Sequence, residues 1–386
     1  MAEAALIWRP ELAWYDLGES HPLDPIRLTL SVELMRAYGI LGPDAVVVPG
    51  TATDGQLELV HDRDYIEAVR EASDPSSGFR PRMGLGTADN PIFAGMHEVS
   101  ARICGASIRG LEEVVSGRRG QTFSIAGGLH HAHRDRAAGF CVYNDPAVAI
   151  AVARLAHPNL RVLYVDIDAH HGDGVQEAFY DSAEVMTVSI HESGIHLFPG
   201  TGFPHETGAG DGIGYAANVP LPPYATDECF RLAFDGVVAP LARAFRPDVV
   251  VAQLGIDAHH DDPLTHLGMT LPGYRSLVDG IVDLAEELCD GRLAAEGGGG
   301  YRVLTTVPLA WTWVMGRLLG TDLAEELPEP WRRRVRPLLG AEPPHTLGAE
   351  DRFELPRERA RRVLEETRKS VAATRAAVFP HHALMP

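Results

Sequence analysis

Residues 161–174, RVLYVDIDAHHGDG, set an apolar run directly against Asp166, Asp168, His170, His171 and Asp173. Leu163 and Val165 alternate with Tyr164, Asp166 and Asp168, and the abrupt Gly-Asp-Gly stop predicts a buried strand ending at Gly172. Extended chain repeats every second residue, so Asp166, Asp168 and, if the chain stays extended, His170 face one side. Carboxylates at the end of a buried strand are costly to desolvate unless a cation, a donor or a ligand compensates them. Asp-x-His is a pair that a divalent metal accepts, and the carboxyl ends of parallel strands are where open α/β sheets place their sites. Asp173 has a second reading, as the N-cap of a helix over VQEAFYD.

Four further stretches carry chemistry. In residues 122–145, TFSIAGGLHHAHRDRAAGFCVYND, a short apolar strand breaks at Gly127 and Gly128 and presents His130, His131 and His133, a set able to supply acid and base. Residues 184–202 form a strand with Ser189 and His191 at its end, then a Gly and Pro loop carrying Phe198. In residues 247–263 the apolar run 249–254 delivers Asp257, then His259, His260, Asp261 and Asp262. Residues 292–301, RLAAEGGGGY, run through four glycines into Tyr301, which could equally be a core tyrosine with a satisfied hydroxyl. The Gly, Pro and Ser content of 76–91 predicts a surface loop, of the kind that serves binding, with Asp89 near its end.

Positioning these groups requires repeated strand-loop-helix units, which favour one α/β domain built on a central, mostly parallel sheet flanked by helices. A strand is expected to open the chain and a helix to follow over TLSVELMRAYGIL. ELVHDRDYIEAVREA, residues 58–72, reads as a strand end passing into a helix, and 226–245 as a helix. No repeat or linker splits these units. The charged pattern after residue 355 predicts a closing helix.

Composition narrows the classes. Of 386 residues, 45% are hydrophobic and 23% charged, which suits a soluble globular protein. The formal charge of −19 disfavours a nucleic-acid binder, because phosphate tracking needs clustered Lys and Arg. No stretch has the length of a membrane span and the N-terminus lacks a signal-peptide pattern, so a cytoplasmic protein is expected. Cys104, Cys141, Cys229 and Cys289 show no CxxC spacing, leaving His and carboxylate as metal ligands. Lys369 is the sole lysine and lies outside any GxxxxGK motif, which argues against P-loop and Schiff-base chemistry.

The series GGLHH, GFCVYND, DIDAHHGDG, TVSIH, FPGTG, GIDAHHDDP and GGGGY resembles, in order, zinc-dependent histone-deacetylase-type lysine deacetylases of the arginase/deacetylase fold, especially the bacterial acetoin-utilisation type. The resemblance implies a catalytic domain over 1–320, with 321–386 a helical extension packed on it. It implies Asp168, His170 and Asp257 as ligands of one Zn²⁺, with Fe²⁺ an acceptable substitute at so mixed a donor set. His131 oriented by Asp173 would be the general base and then acid, His130 paired with Asp166 would support charge, and Tyr301 would donate to the oxyanion. Gly139, Phe140 and Phe198 would line the acyl-lysine channel, Asp89 would hold the substrate backbone, and Ser189 with Asp166 and Asp168 would hold a structural K⁺. The implied substrates are acyl-lysine proteins, with metabolic enzymes such as acetyl-CoA synthetase among them.

Two departures stand out: the aromatic of GFCVYND falls one place later than in many eukaryotic relatives, and His259 and His260 are unusual, with solvation or rim contacts expected for both. A two-metal ureohydrolase is disfavoured because Gly172, Gly255 and His259 stand where a binuclear cluster needs carboxylates. An acetylpolyamine amidohydrolase, with the same chemistry on a small cationic amide, is the nearer alternative. A catalytically dead acyl-lysine reader fits poorly, since every catalytic group is present.

Overall fold

The computed structural model describes residues 4–386. Eight parallel strands form one sheet: β1 (Ala5–Ile7), β2 (Val46–Val47), β3 (Gln121–Ser124), β4 (Val162–Asp166), β5 (Val185–Glu192), β6 (Ala216–Leu221), β7 (Val249–Gln253) and β8 (Leu293–Glu296). Their order is β2-β1-β3-β8-β7-β4-β5-β6. Every pairing is parallel, which turns the expected mostly parallel sheet into a wholly parallel one. Central strands such as VVVAQ in β7 are buried along their whole length, as strands covered by helices on both faces must be.

Helix starts follow local chemistry. The Asn144 side chain accepts the Ala147 N–H at 3.0 Å to open the helix Asp145–Ala156, and Thr270 accepts the Gly273 N–H at 3.1 Å to open Leu271–Cys289. Helix Met96–Val115 packs on β1, β3, β7 and β8, and Leu271–Cys289 packs on β7 and against Thr306–Leu318. The buried polar tips of Tyr274 and Trp311 both donate to the Leu254 carbonyl just beyond β7.

The sheet edge at β6 is closed by the C-terminal helix Arg357–Val378. Ser370 and Thr374, one turn apart, donate their hydroxyls to the β6 carbonyls of Pro220 (2.7 Å) and Asn218 (2.5 Å). That satisfies an edge which would otherwise be a template for pairing with another chain. No helix among the described residues is long and apolar enough to cross a membrane.

Three sequence expectations are corrected. β4 stops at Asp166 rather than Gly172, because the Asp166 carboxylate accepts the Asp168 N–H (3.1 Å) and turns the chain out of the ladder. Residues 58–60 hold no strand: the helices Asp54–Leu57 and Arg63–Ala72 flank a turn there. The helix expected over 226–245 contains a π-helical turn at Phe234–Val238 between Asp227–Ala233 and Ala239–Phe245.

Candidate active site

Asp168, His170 and Asp257 converge just past the carboxyl ends of β4 and β7. His170 Nδ1 lies 3.1 Å from Asp168 Oδ1 and 2.9 Å from Asp257 Oδ2. Asp168 Oδ2 accepts the Gly299 N–H and the Gln253 side-chain amide, each at 2.7 Å, while Asp257 Oδ1 accepts the Ala169 N–H at 2.7 Å. These bonds leave the remaining oxygens aimed at one point with His170. Burial, and then the charge of Asp168, push Asp257 up to about 7. Two fully buried carboxylates facing one imidazole form a donor set that a divalent cation fits, and with no ion bound, against the cost of burial, the same carboxylates raise the His170 ring well above its usual range.

Beside this trio lies a paired acid–base arrangement. His130 Nδ1 donates to Asp166 Oδ2 at 2.8 Å, and the same oxygen accepts the Tyr164 hydroxyl at 2.8 Å. His131 Nδ1 donates to Asp173 Oδ1 at 2.7 Å, and the Nε2 atoms of His130 and His131 are 3.0 Å apart. With both Nδ1 atoms spent as donors, one Nε2 must carry the proton that joins them. Burial works against charge on His130, but Asp166 and Asp168 outweigh it and raise the ring to about 9. Burial and then the His130 cation hold His131 down to about 4, so His131 is the neutral base of the pair. Asp173 stands at the first position of a helix with its carboxylate spent on His131 and His133, which rules out the N-cap reading.

Tyr301 enters from the glycine loop after β8, its N–H held by Asp262 Oδ2 at 2.8 Å and its ring edge-on to Phe140 at 5.8 Å. Gly128, His130, His131, Gly139, Phe140, Asp168, His170 and Tyr301 line one narrow cavity of about 20 Å³, room for about one water or ion. Gly139 has φ +50°, and a Cβ there would lie 2.4 Å from the His131 ring and 2.8 Å from Phe198. The Phe198 ring is edge-on to His131 at 5.0 Å, with the residue 44% exposed, so it stands at the mouth. Asp89 is exposed at the rim. Its carbonyl lies 3.3 Å from His21 Nε2, and the His21 ring packs edge-on to Phe140. Ser189 lies opposite Asp166 on the neighbouring strand, with its hydroxyl 2.7 Å from His191 Nδ1.

His259 is buried and His260 partly exposed, and both are held by an acid rather than left free in solvent. Their Nε2 atoms lie 2.9 and 2.8 Å from the two oxygens of Asp351, in the segment leading to the C-terminal helix. His259 Nδ1 accepts the Asp261 N–H at 3.2 Å, so the Nε2 bears the proton and has no lone pair for a metal. This His-His-Asp group is a clamp on the Asp257 loop.

Sequence reasoning missed several supporting groups. Buried Arg27 donates to the carbonyls of Gly298 (2.8 Å) and Gly300 (3.1 Å) and so sets the loop before Tyr301. Asp145 accepts the N–H groups of Gly128 and Leu129, and Asn144 donates to the His130 and Ala132 carbonyls, together fixing the His-His loop. Asn144, Asp145 and Asp262 lay inside motifs already singled out, whereas Arg27 had no local signal.

The chain belongs to the histone deacetylase family: residues 21–318 match the histone deacetylase domain model. Over 86% of its length it is 41% identical to the acetoin utilization protein AcuC of Bacillus subtilis (strain 168), of which 86% is covered, and 39% identical to AcuC of Staphylococcus xylosus. Among solved structures, a crystal structure of an HDAC homolog complexed with SAHA superposes with TM-score 0.83 at 30% identity. That match covers 95% of this chain and 99% of the other. The HDAC homolog from Aquifex aeolicus gives 0.82 at 31% identity with the same coverage. The protein is thus a histone-deacetylase-type hydrolase of the arginase/deacetylase fold, similar to the acetoin utilization proteins.

Proposed function

We infer that the protein is a metal-dependent lysine deacylase, removing acetyl or other short acyl groups from lysine side chains of proteins by direct hydrolysis. The observation that carries this reading is the cluster of Asp168, His170 and Asp257, two of whose members, Asp168 and His170, line one narrow cavity with neutral His131 and Tyr301. Asp168, His170 and Asp257 would hold a single divalent ion, Zn²⁺ or Fe²⁺. Bound there, it supplies Lewis acidity toward the amide carbonyl and makes nearby water more acidic.

The chain's own groups do the rest. Asp173 fixes the Nδ1–H tautomer of His131, whose Nε2, once it gives up the His130 Nε2–H bond, takes a proton from the attacking water and returns it to the leaving lysine amine. His130, held by Asp166, keeps a positive charge beside the developing negative one. The Tyr301 hydroxyl donates to the carbonyl oxygen as charge builds on it. Gly139, Phe140 and Phe198 would line the channel for an extended alkyl stem, and exposed Asp89 would hold the substrate backbone at the rim. Ser189 beside Asp166 supports a K⁺ site beneath the catalytic groups. Metabolic enzymes such as acetyl-CoA synthetase are the protein substrates proposed.

Turnover of an acetyl-lysine peptide, compared with acetylated spermidine and putrescine, tests the reading. Clear preference for the polyamines would replace it with an acetylpolyamine amidohydrolase.

A further inference from the structure

His133 is a buried histidine that the hydrolytic scheme leaves unused, yet its ring is bracketed by acids. Nε2 lies 3.2 Å from Asp173 Oδ2, the oxygen that does not face His131, and Nδ1 lies 2.5 Å from Glu177 Oε2. Asp173 and Glu177 stand one turn apart on the helix Asp173–Ala178, so the imidazole slots between them. Both nitrogens face carboxylates, an arrangement that only a doubly protonated ring satisfies. The backbone is pinned as well: His61 Nδ1 donates to the His133 carbonyl at 2.9 Å, and the His133 N–H donates to Arg136 O at 2.9 Å.

We propose that His133 is a positioning residue for the general base: as a cation braced by Glu177, it grips one oxygen of Asp173 so that the other stays aligned on Nδ1 of His131. This rests on the reading of His131 as the base. A carboxylate held at one oxygen can swing about its last bond, and the tautomer it enforces on its imidazole partner loosens with it. Glu177 is half-exposed and His133 opens onto a surface pocket of about 500 Å³ that Phe198 also lines. The charged groups around that pocket are Asp173, Glu177, Arg136 and Glu206. Arg136 pairs with Asp135, and Glu206 accepts the N–H groups of Gly202 and Phe203, so neither displaces Glu177 from the ring. Burial disfavours charge on His133, but the two carboxylates win and raise it to about 9.

Two variants and a resonance decide the matter. His133→Phe keeps the ring volume and removes both donors. Its kcat is expected to fall ~10- to 100-fold, as when the outer partner of a working histidine is lost, with KM nearly unchanged. Glu177→Gln keeps the shape and removes the brace, so the pH at which kcat declines on the alkaline side should move down relative to the wild type. Independently of turnover, the His133 ring proton followed by NMR should report a cation up to about pH 9 in the wild type and titrate lower in Glu177→Gln. Wild-type kcat in His133→Phe, superimposable pH profiles, or a His133 titration at the ordinary 6.5 would each overturn the proposal. A wild type that hydrolyses no amide would sink the catalytic reading instead, and the His133 resonance would still decide whether the brace exists.

Discussion

At Gly139 the backbone is left-handed and the missing side chain is what lets the His131 ring and Phe198 approach. Gly139→Ala is therefore expected to displace His131 and lose most activity, while the positive φ adds about 1 kcal/mol of destabilisation. Steady-state kinetics beside a denaturant titration separates the two effects, and full activity would show that the ring has room to move. Tyr301→Phe and His131→Ala remove single polar groups from the reacting region. Each should cut kcat ~10²- to 10⁴-fold with the fold retained by circular dichroism. Retained turnover in both would reject the assigned roles.

Elements hold these residues through a few buried polar ties. His61 donates from Nδ1 to the His133 carbonyl and accepts the Asn144 N–H on Nε2, joining the turn before helix Arg63–Ala72 to the His-His loop. Burial lowers its pKa from 6.5 to about 4, so it folds neutral. The unfolded chain binds a proton first as pH falls. Stability from this group is whole above 6.5 and is lost toward 4, by about 2 kcal/mol at pH 5. Denaturant unfolding at pH 7 and pH 5 should show that loss, and His61→Gln, which does not titrate, should shrink it. At the sheet edge, Thr374→Val leaves the Asn218 carbonyl without its hydroxyl donor, for an expected destabilisation of about 1–2 kcal/mol. An unchanged midpoint would mean that water replaces the bond at no loss.

For the molecule as a whole, a metal at Asp168, His170 and Asp257 would join loops following different strands and act as a tertiary crosslink. Without it, Asp257 is raised to about 7 by burial and by Asp168. This is a carboxyl whose folded pKa lies above its unfolded 3.8, so the metal-free protein loses stability as pH rises through that interval. Chelation should abolish activity and lower the melting temperature, and the gap between metal-loaded and stripped protein should widen from pH 5 to pH 7. Metal analysis with calorimetry checks this; a stripped protein that melts and turns over like the untreated one would remove the ion from the account.

Much of this was legible from the chain alone because it depends on local rules. Alternation and apolar runs mark strands, glycine pairs mark where backbone must approach closely, and the ordered motifs around His130, Asp168, Asp257 and Tyr301 lie where strands end. What the chain alone could not show are bonds between residues far apart in sequence. Arg27 reaches Gly298 and Gly300, Asp351 clamps His259 and His260, and Thr374 caps Asn218. None leaves a periodicity or a spacing to read, because each partner was chosen by where the folded sheet and its covering helices bring the two segments together. The turn of the chain at Asp166, which swings Asp168 and His170 out of the strand and toward Asp257, belongs to that class too: a side-chain hydrogen bond overrode the extended pattern that the residues suggested.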